Sequence, residues 1–359
     1  MTASAVAEQG EQAARKLKSR LAAVALKRLG LRYVTTDELT IRRKRIGDKF
    51  TFVSARGRTI KDEITRARLK RLAVPPAYED VLYATDPRAH IQAIGRDAAG
   101  RLQYRYHPDW EKVREKRKAK RLQRIVEAMP RVRRAVNRIL GSAEPTREFA
   151  LAAVIELVSS SAIRAGGEAY VKSNRTRGAA TMLKSGIQVD GARVTLKFRA
   201  KGGKNVEKEF HCPRVAAAVN VLRDLPGRRM FQYRADDGTV RFVTANEVNV
   251  FLRELAGVKV SLKDFRTLCA SAAALEALAH IEPATTERGR RKQVKEAVTA
   301  VSEELANTPT ICRKSYVHQT VVAAFENGKL AKFSDSLKGR RSPSHREQLL
   351  AQVIATMAA

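Results

Sequence analysis

IQVDGARVTLKFRAKGGKNVEKEFHC, residues 187–212, is the stretch that decides the fold. Asp190-Gly191 is a two-residue hairpin signal, because both turn positions ask for positive φ and this pair tolerates it. A second turn falls within AKGGKN, so three antiparallel strands are expected here. The flanks read as helices. Upstream, TREFALAAVIELVSSSAIRAGG is an apolar helix with Thr146 as N-cap, expected to end at Gly166-Gly167. Downstream, TANEVNVFLREL opens with a Thr244/Glu247 capping box. Helices continue through SLKDFRTLCASAAALEAL and RGRRKQVKEAVTAVSEEL. Residues 112–328 therefore read as a helical domain interrupted by a small sheet, and residues 329–359 as a loose basic tail.

The chain before this domain has a different period. TIRRKRIGDKFTFV offers two short strands around Gly47-Asp48. AHIQAIGRDAAGRLQYRYHPDW reads as a hairpin turning at DAAG, with Ile91, Ala93, Leu102, Tyr104 and Tyr106 marking the strands. Between them IKDEITRARLKRLAVPPAYEDVLYA predicts a short helix stopped by Pro75-Pro76. Residues 29–108 thus form a β-rich N-terminal domain, preceded by a partly helical extension over 1–28. The boundary is placed just before the basic helix EKVREKRKAKRLQRIVEAM, which follows Trp110. The fold class is α+β: a small β-rich domain, then a mainly α-helical domain with an inserted three-stranded antiparallel sheet.

Charge narrows the partners. The 359 residues hold 70 Lys and Arg against 37 Asp and Glu, a formal net charge of +33. Such a chain repels itself unless a polyanion is present, which points to nucleic acid. An anionic membrane is the weaker choice, since no segment approaches the ~18 apolar residues of a spanning helix and no lipidation motif occurs. Cys212, Cys269 and Cys312 lack CxxC spacing, and the histidines form no HxxxH pair, so a zinc site is not expected. Neither a GxxxxGK[ST] loop nor a GxGxxG fingerprint is present, so no nucleotide cofactor is expected either. The N-terminus lacks a signal-peptide core, and the expected location is the cytoplasm, with the nucleoid.

Within ANTPTICRKSY, residues 306–316, a tyrosine follows Arg313 and Lys314 directly. A tyrosine nucleophile needs cations to hold its target. Three stand out by placement. Arg164 follows the apolar helix and precedes the Gly-Gly break. Arg266 lies in the first turns of the helix opening at Ser261, where a cation opposes the macrodipole unless an anion uses both. Lys201 sits at the tip of the inserted hairpin, with Lys204 beside it.

The order Arg164, hairpin Lys201, Arg266 in LKDFRT, then Tyr316 resembles the type IB DNA topoisomerases, specifically their poxvirus-like and bacterial branch. The matching stretches are AIRAGGEAYVKSNRTRGAATML, VTLKFRAKGGKNVEKEF, LKDFRT and ANTPTICRKSY, together with IQAIGRDAAGRLQYRYHPDW. The resemblance implies that Tyr316 attacks a DNA phosphodiester and forms a 3′-phosphotyrosine, with no ATP, metal or other cofactor. It implies that Arg164, Arg266 and Asn307 stabilise the phosphate and that Lys201 protonates the departing 5′ oxygen. Many family members carry histidine where Asn307 stands, while the bacterial branch is similar in using asparagine. Activity with reduced pH sensitivity at that position is therefore expected. Tyr104, Tyr106, Lys204, Lys263, Arg313 and Lys314 are read as DNA contacts, and the partner as double-stranded DNA held by a monomer. A tyrosine recombinase is the nearest alternative, although its HxxR histidine is replaced by Lys263. A non-catalytic DNA-binding protein is the other.

Overall fold

A computed structural model describes residues 24, 26–47, 49–339 and 342–358. The expected extension over 1–28 and the turn residue Asp48 fall mostly or wholly outside them. The chain divides into two compact units, 1–117 and 118–359.

The first unit is built on a five-stranded antiparallel sheet. Strands β1 (Ile41–Ile46) and β2 (Lys49–Val53) form the first expected hairpin. Helix α1 (Glu63–Arg71) is capped by Asp62, which accepts from Thr65 N at 2.8 Å. Strand β3 (Glu79–Tyr83) was not anticipated; it pairs with both β1 and β4. Strands β4 (Ile91–Arg96) and β5 (Leu102–Tyr106) form the second hairpin, and the sheet order is β2-β1-β3-β4-β5. The Pro75-Pro76 loop offers few backbone donors of its own, Tyr78 N to Pro75 O at 3.1 Å being one, and its carbonyls take a further donor from a side chain. Arg43 supplies it, reaching Val74 O at 3.2 Å and Pro75 O at 2.9 Å.

Helix α2 (Pro108–Leu140) begins in the first unit and continues into the second. The division falls inside this helix, not before it. Its second half is less purely basic than its composition suggests. Leu122, Ile125, Met129, Val132 and Val136 recur at helical spacing and are all buried.

In the second unit Thr146 caps α3 (Arg147–Ser161), accepting from Phe149 N at 3.2 Å. The helix stops earlier than expected. Ala162 takes left-handed φ, 52°, and turns the chain five residues ahead of Gly167. After α4 (Glu168–Asn174) come the inserted strands β6 (Ile187–Asp190), β7 (Arg193–Arg199) and β8 (Asn205–His211), antiparallel in that order. Val194 and Leu196 of β7 enter the main core. Helix α5 (Pro213–Arg223) and a two-stranded pair, β9 (Gln232–Arg234) with β10 (Val240–Phe242), precede α6 (Ala245–Ala256). Helices α7 (Leu262–Ala279) and α8 (Glu287–Glu304) complete the expected series, and two short helices that were not expected, α9 (Pro309–Ser315) and α10 (Gln319–Glu326), follow.

The expected loose tail is not loose. Residues after Gly328 make two short 3-10 turns and α11 (Pro343–Ala358). Leu330, Phe333, Leu337, Leu350, Val353 and Ile354 are buried in the same core as α3 and α7. Leu350, Val353 and Ile354 share one helical face, and ion pairs flank it: Arg346 with Glu276 at 3.1 Å, Arg133 with Glu347 at 2.7 Å. Among the described residues no helix is long and apolar enough to cross a membrane.

Candidate active site

Helix α7 organises the site. Ser261 and Asp264 form its capping box, with Ser261 N donating to Asp264 Oδ2 at 2.7 Å. Arg121 grips the same carboxylate with two nitrogens, each at 2.7 Å. This fixes the first turn, from which Arg266 projects inward at 3% exposure.

The Arg266 fork is anchored by main-chain oxygens. One terminal nitrogen donates to Ala162 O, and the other to Leu305 O at 2.9 Å. Ala162 lies two residues before Arg164, and Leu305 two residues before Asn307. One guanidinium therefore holds both loops that bring in the other phosphate-binding candidates. Its Nε is buried with no hydrogen-bond acceptor among the described residues.

The loop bearing Arg164 is clamped from its other side. Ala179 N donates to Arg164 O at 2.9 Å and Ala180 N to Ala165 O at 2.8 Å. That approach requires glycine at 178, where a Cβ would lie 2.3 Å from Arg164 O. Arg177 N also donates to Arg199 O at 2.8 Å, tying this segment to the end of β7.

Asn307 follows Ala306, whose φ of 51° turns the chain out of α8. Arg164 Nη2 donates to Asn307 Oδ1 at 2.5 Å. The Asn307 Nδ2 is buried and has no acceptor among the described residues. Buried donors left unpaired are costly, and a site that collects them is prepared for an anion. Thr308 then caps α9, and Tyr316 ends it.

The Tyr316 ring lies 4.8 Å from the Arg266 guanidinium carbon. Burial pushes the hydroxyl's pKa up, but the charges of Arg266 and Arg164, the hydrogen-bonding approach of the Arg266 guanidinium and the charge of Lys263 outweigh it, so the net shift is below the usual 10. The phenol is thus easier to ionise than a free tyrosine.

The remaining sequence candidates fall in different places. Lys201 and Lys204 sit on the β7–β8 turn, where Gly202 and Gly203 take φ of 82° and 75°. Lys201 is exposed, with Nζ 5.9 Å from the Tyr170 ring centre, and no contact among the described residues joins it to Tyr316. Lys263 is exposed on α7 and reaches Tyr316 through its charge. Arg313 and Lys314 occupy the last turn of α9, Arg313 bonded to Gln319. Tyr104 and Tyr106, in the first unit, stack at 5.8 Å, with Arg114 placed 4.5 Å over Tyr106. Tyr106 packs partly on that unit's core while Tyr104 is 41% exposed.

Three supporting groups escaped sequence reasoning. Arg121 is one, and only the Ser261-x-x-Asp264 pattern hinted that its partner mattered. Lys208 on β8 donates to Glu304 O at 2.9 Å, and burial draws its pKa down beside Arg266. Ser271, fully buried on α7, bonds the main chain on both sides of Val317.

Comparison with known proteins identifies relatives of this chain. A family profile described as the catalytic core of eukaryotic DNA topoisomerase I matches residues 107–341, well over half of the chain. A second, described as the N-terminal domain of bacterial DNA topoisomerase IB, matches residues 49–97. The DNA topoisomerase 1B of Acanthamoeba polyphaga mimivirus is 28% identical over 297 residues, covering 80% of this chain and 88% of that protein. With the catalytic-core profile matched over that length and the bacterial N-terminal profile matched ahead of it, the chain belongs to the type IB DNA topoisomerase family.

Proposed function

We propose that this protein relaxes supercoiled DNA by cutting one strand with Tyr316, holding it as a 3′-phosphotyrosine, and rejoining it. The observation that carries this reading is the convergence of Tyr316, Arg266, Arg164 and Asn307, with Arg266 Nε and Asn307 Nδ2 buried and unpaired. Tyr316 Oη gives up its proton to water and bonds to phosphorus as the bond to the 5′ oxygen breaks. Negative charge builds on the nonbridging oxygens, where two guanidinium forks and a carboxamide stabilise it. The 5′ oxygen leaves with a proton from Lys201, whose place on a glycine-rich turn lets it reach the duplex. The phosphotyrosine conserves the energy of the broken bond, so the 5′ hydroxyl can attack it and reseal the strand without ATP.

Between cleavage and resealing, torsion turns the free end. Both units contribute to holding the duplex, Tyr104, Tyr106, Lys204, Lys263, Arg313 and Lys314 among their contacts. The net charge of +33 supports this. The protein acts as a monomer on double-stranded DNA in the cytoplasm, associated with the nucleoid. Relaxation of a supercoiled plasmid in chelator without ATP is the test. A recombinase would act only at defined sites with partner protomers, and a non-catalytic binder would leave the plasmid supercoiled. Either outcome would overturn the reading.

A further inference from the structure

We infer that Ser271 is the positioning residue for the nucleophile, holding the chain at Tyr316 to the helix that carries Arg266. Its hydroxyl donates to Tyr316 O at 3.1 Å and accepts from His318 N at 3.1 Å. The inference rests on the reading of Tyr316 as nucleophile given above.

Three observations lead to it. Helix α9 ends at Ser315 and α10 begins at Gln319, so the backbone between them has left one helix without entering the next. Tyr316 itself takes φ −127° and ψ −41°. Polar main-chain groups at such a break need partners from outside, and here Ser271 serves both sides of it with one oxygen. A serine in mid-helix ordinarily faces water or bonds back to the carbonyl four residues earlier. Ser271 instead is 0% exposed and reaches across to another segment.

Ser271 and Arg266 stand five residues apart on one rigid helix. Arg266 fixes the loops of Arg164 and Asn307 to α7, and Ser271 fixes the segment of Tyr316 to the same element. The two side chains thus set the distance between the attacking oxygen and the groups that hold its target. A nucleophile misplaced by about 1 Å can lose 10²-fold in rate.

The experiment compares Ser271→Ala, Ser271→Thr and Tyr316→Phe with the parent chain. It measures single-turnover cleavage and religation rate constants, DNA affinity, and melting temperature. Ser271→Ala should slow both chemical steps by about 10–100-fold at unchanged DNA affinity. A 5′-bridging sulfur should not restore the rate, since the defect lies in attack. Ser271→Thr keeps the hydroxyl and should recover most of the rate. A merely structural role would lower the active fraction and the melting temperature while leaving the rate constant alone. Parental rate constants in Ser271→Ala, or a slow Ser271→Ala that threonine does not correct, would overturn the inference. A covalent adduct from Tyr316→Phe would instead remove the nucleophile assignment, so the two failures are distinct.

Discussion

Arg164 donates to Asn307 Oδ1 at 2.5 Å, and that bond decides which end of the carboxamide faces the site. With the oxygen engaged, Nδ2 is the end left to donate. Asparagine here gives both an acceptor for an arginine and a donor for an anion. Asn307→Asp would keep the first and replace the second with negative charge. It should cleave more slowly than Asn307→Ala, whose own loss should be about 10²–10³-fold, the usual worth of one such donor. Single-turnover cleavage measures both, and Asp faster than Ala would contradict the orientation.

Tyr316→Phe should form no denaturant-resistant adduct while binding DNA nearly as before. The phenol's surroundings also predict a pH effect. Lys263 is one of the cations holding its pKa down, so Lys263→Gln lets it rise. A higher pKa needs more alkaline solution to give the same phenolate, and the rising limb of cleavage against pH should move upward. An unmoved limb would show that ionisation of Tyr316 does not control the rate.

Lys201→Ala should slow cleavage by about 10²–10⁴-fold, the range of general acid catalysis. A substrate with sulfur at the 5′ bridging position leaves without a proton and should recover most of the rate. Without that recovery, Lys201 would be a DNA contact, consistent with its exposed place on the turn.

Leu350→Ala tests whether α11 belongs to the catalytic unit's core. Leu350 is 0% exposed, and removing three buried carbons there should cost about 2–5 kcal/mol. A melting temperature unchanged from the parent would return this segment to the status of a tail.

The legible part of the fold was the part written in local chemistry. Thr146 and Thr244 announce boundaries through their own side chains and stand where expected, while the hairpin turn lies one residue later than expected: Asp190 ends β6 opposite Arg193, and Gly191 alone takes positive φ. Strand β3 was missed because its pairing with β1 spans some forty residues, no tight-turn signal joins it to β4, and EDVLY carries no alternation strong enough to stand alone. The C-terminal segment misled through composition. Its apolar residues line one face of α11, a pattern that counting charges conceals. At the site, Tyr316, Arg164, Arg266 and Asn307 were readable because resemblance supplied their order. Ser271 and Arg121 were not, because a hydroxyl or guanidinium that meets a distant segment leaves no periodic mark.

The anchoring of Arg266 on Ala162 O and Leu305 O changes how substitutions there must be interpreted. On the proposed reading, replacing it removes a cation from the phosphate, and it also unties the loops of Arg164 and Asn307. Its single-variant loss therefore contains part of theirs. Double variants pairing Arg266 with Arg164 or Asn307 should fall short of the product of the separate losses, as groups acting as one unit do. In evolutionary terms this predicts epistasis: a chain that has lost Arg266 should tolerate changes at Arg164 and Asn307 that the parent chain would not.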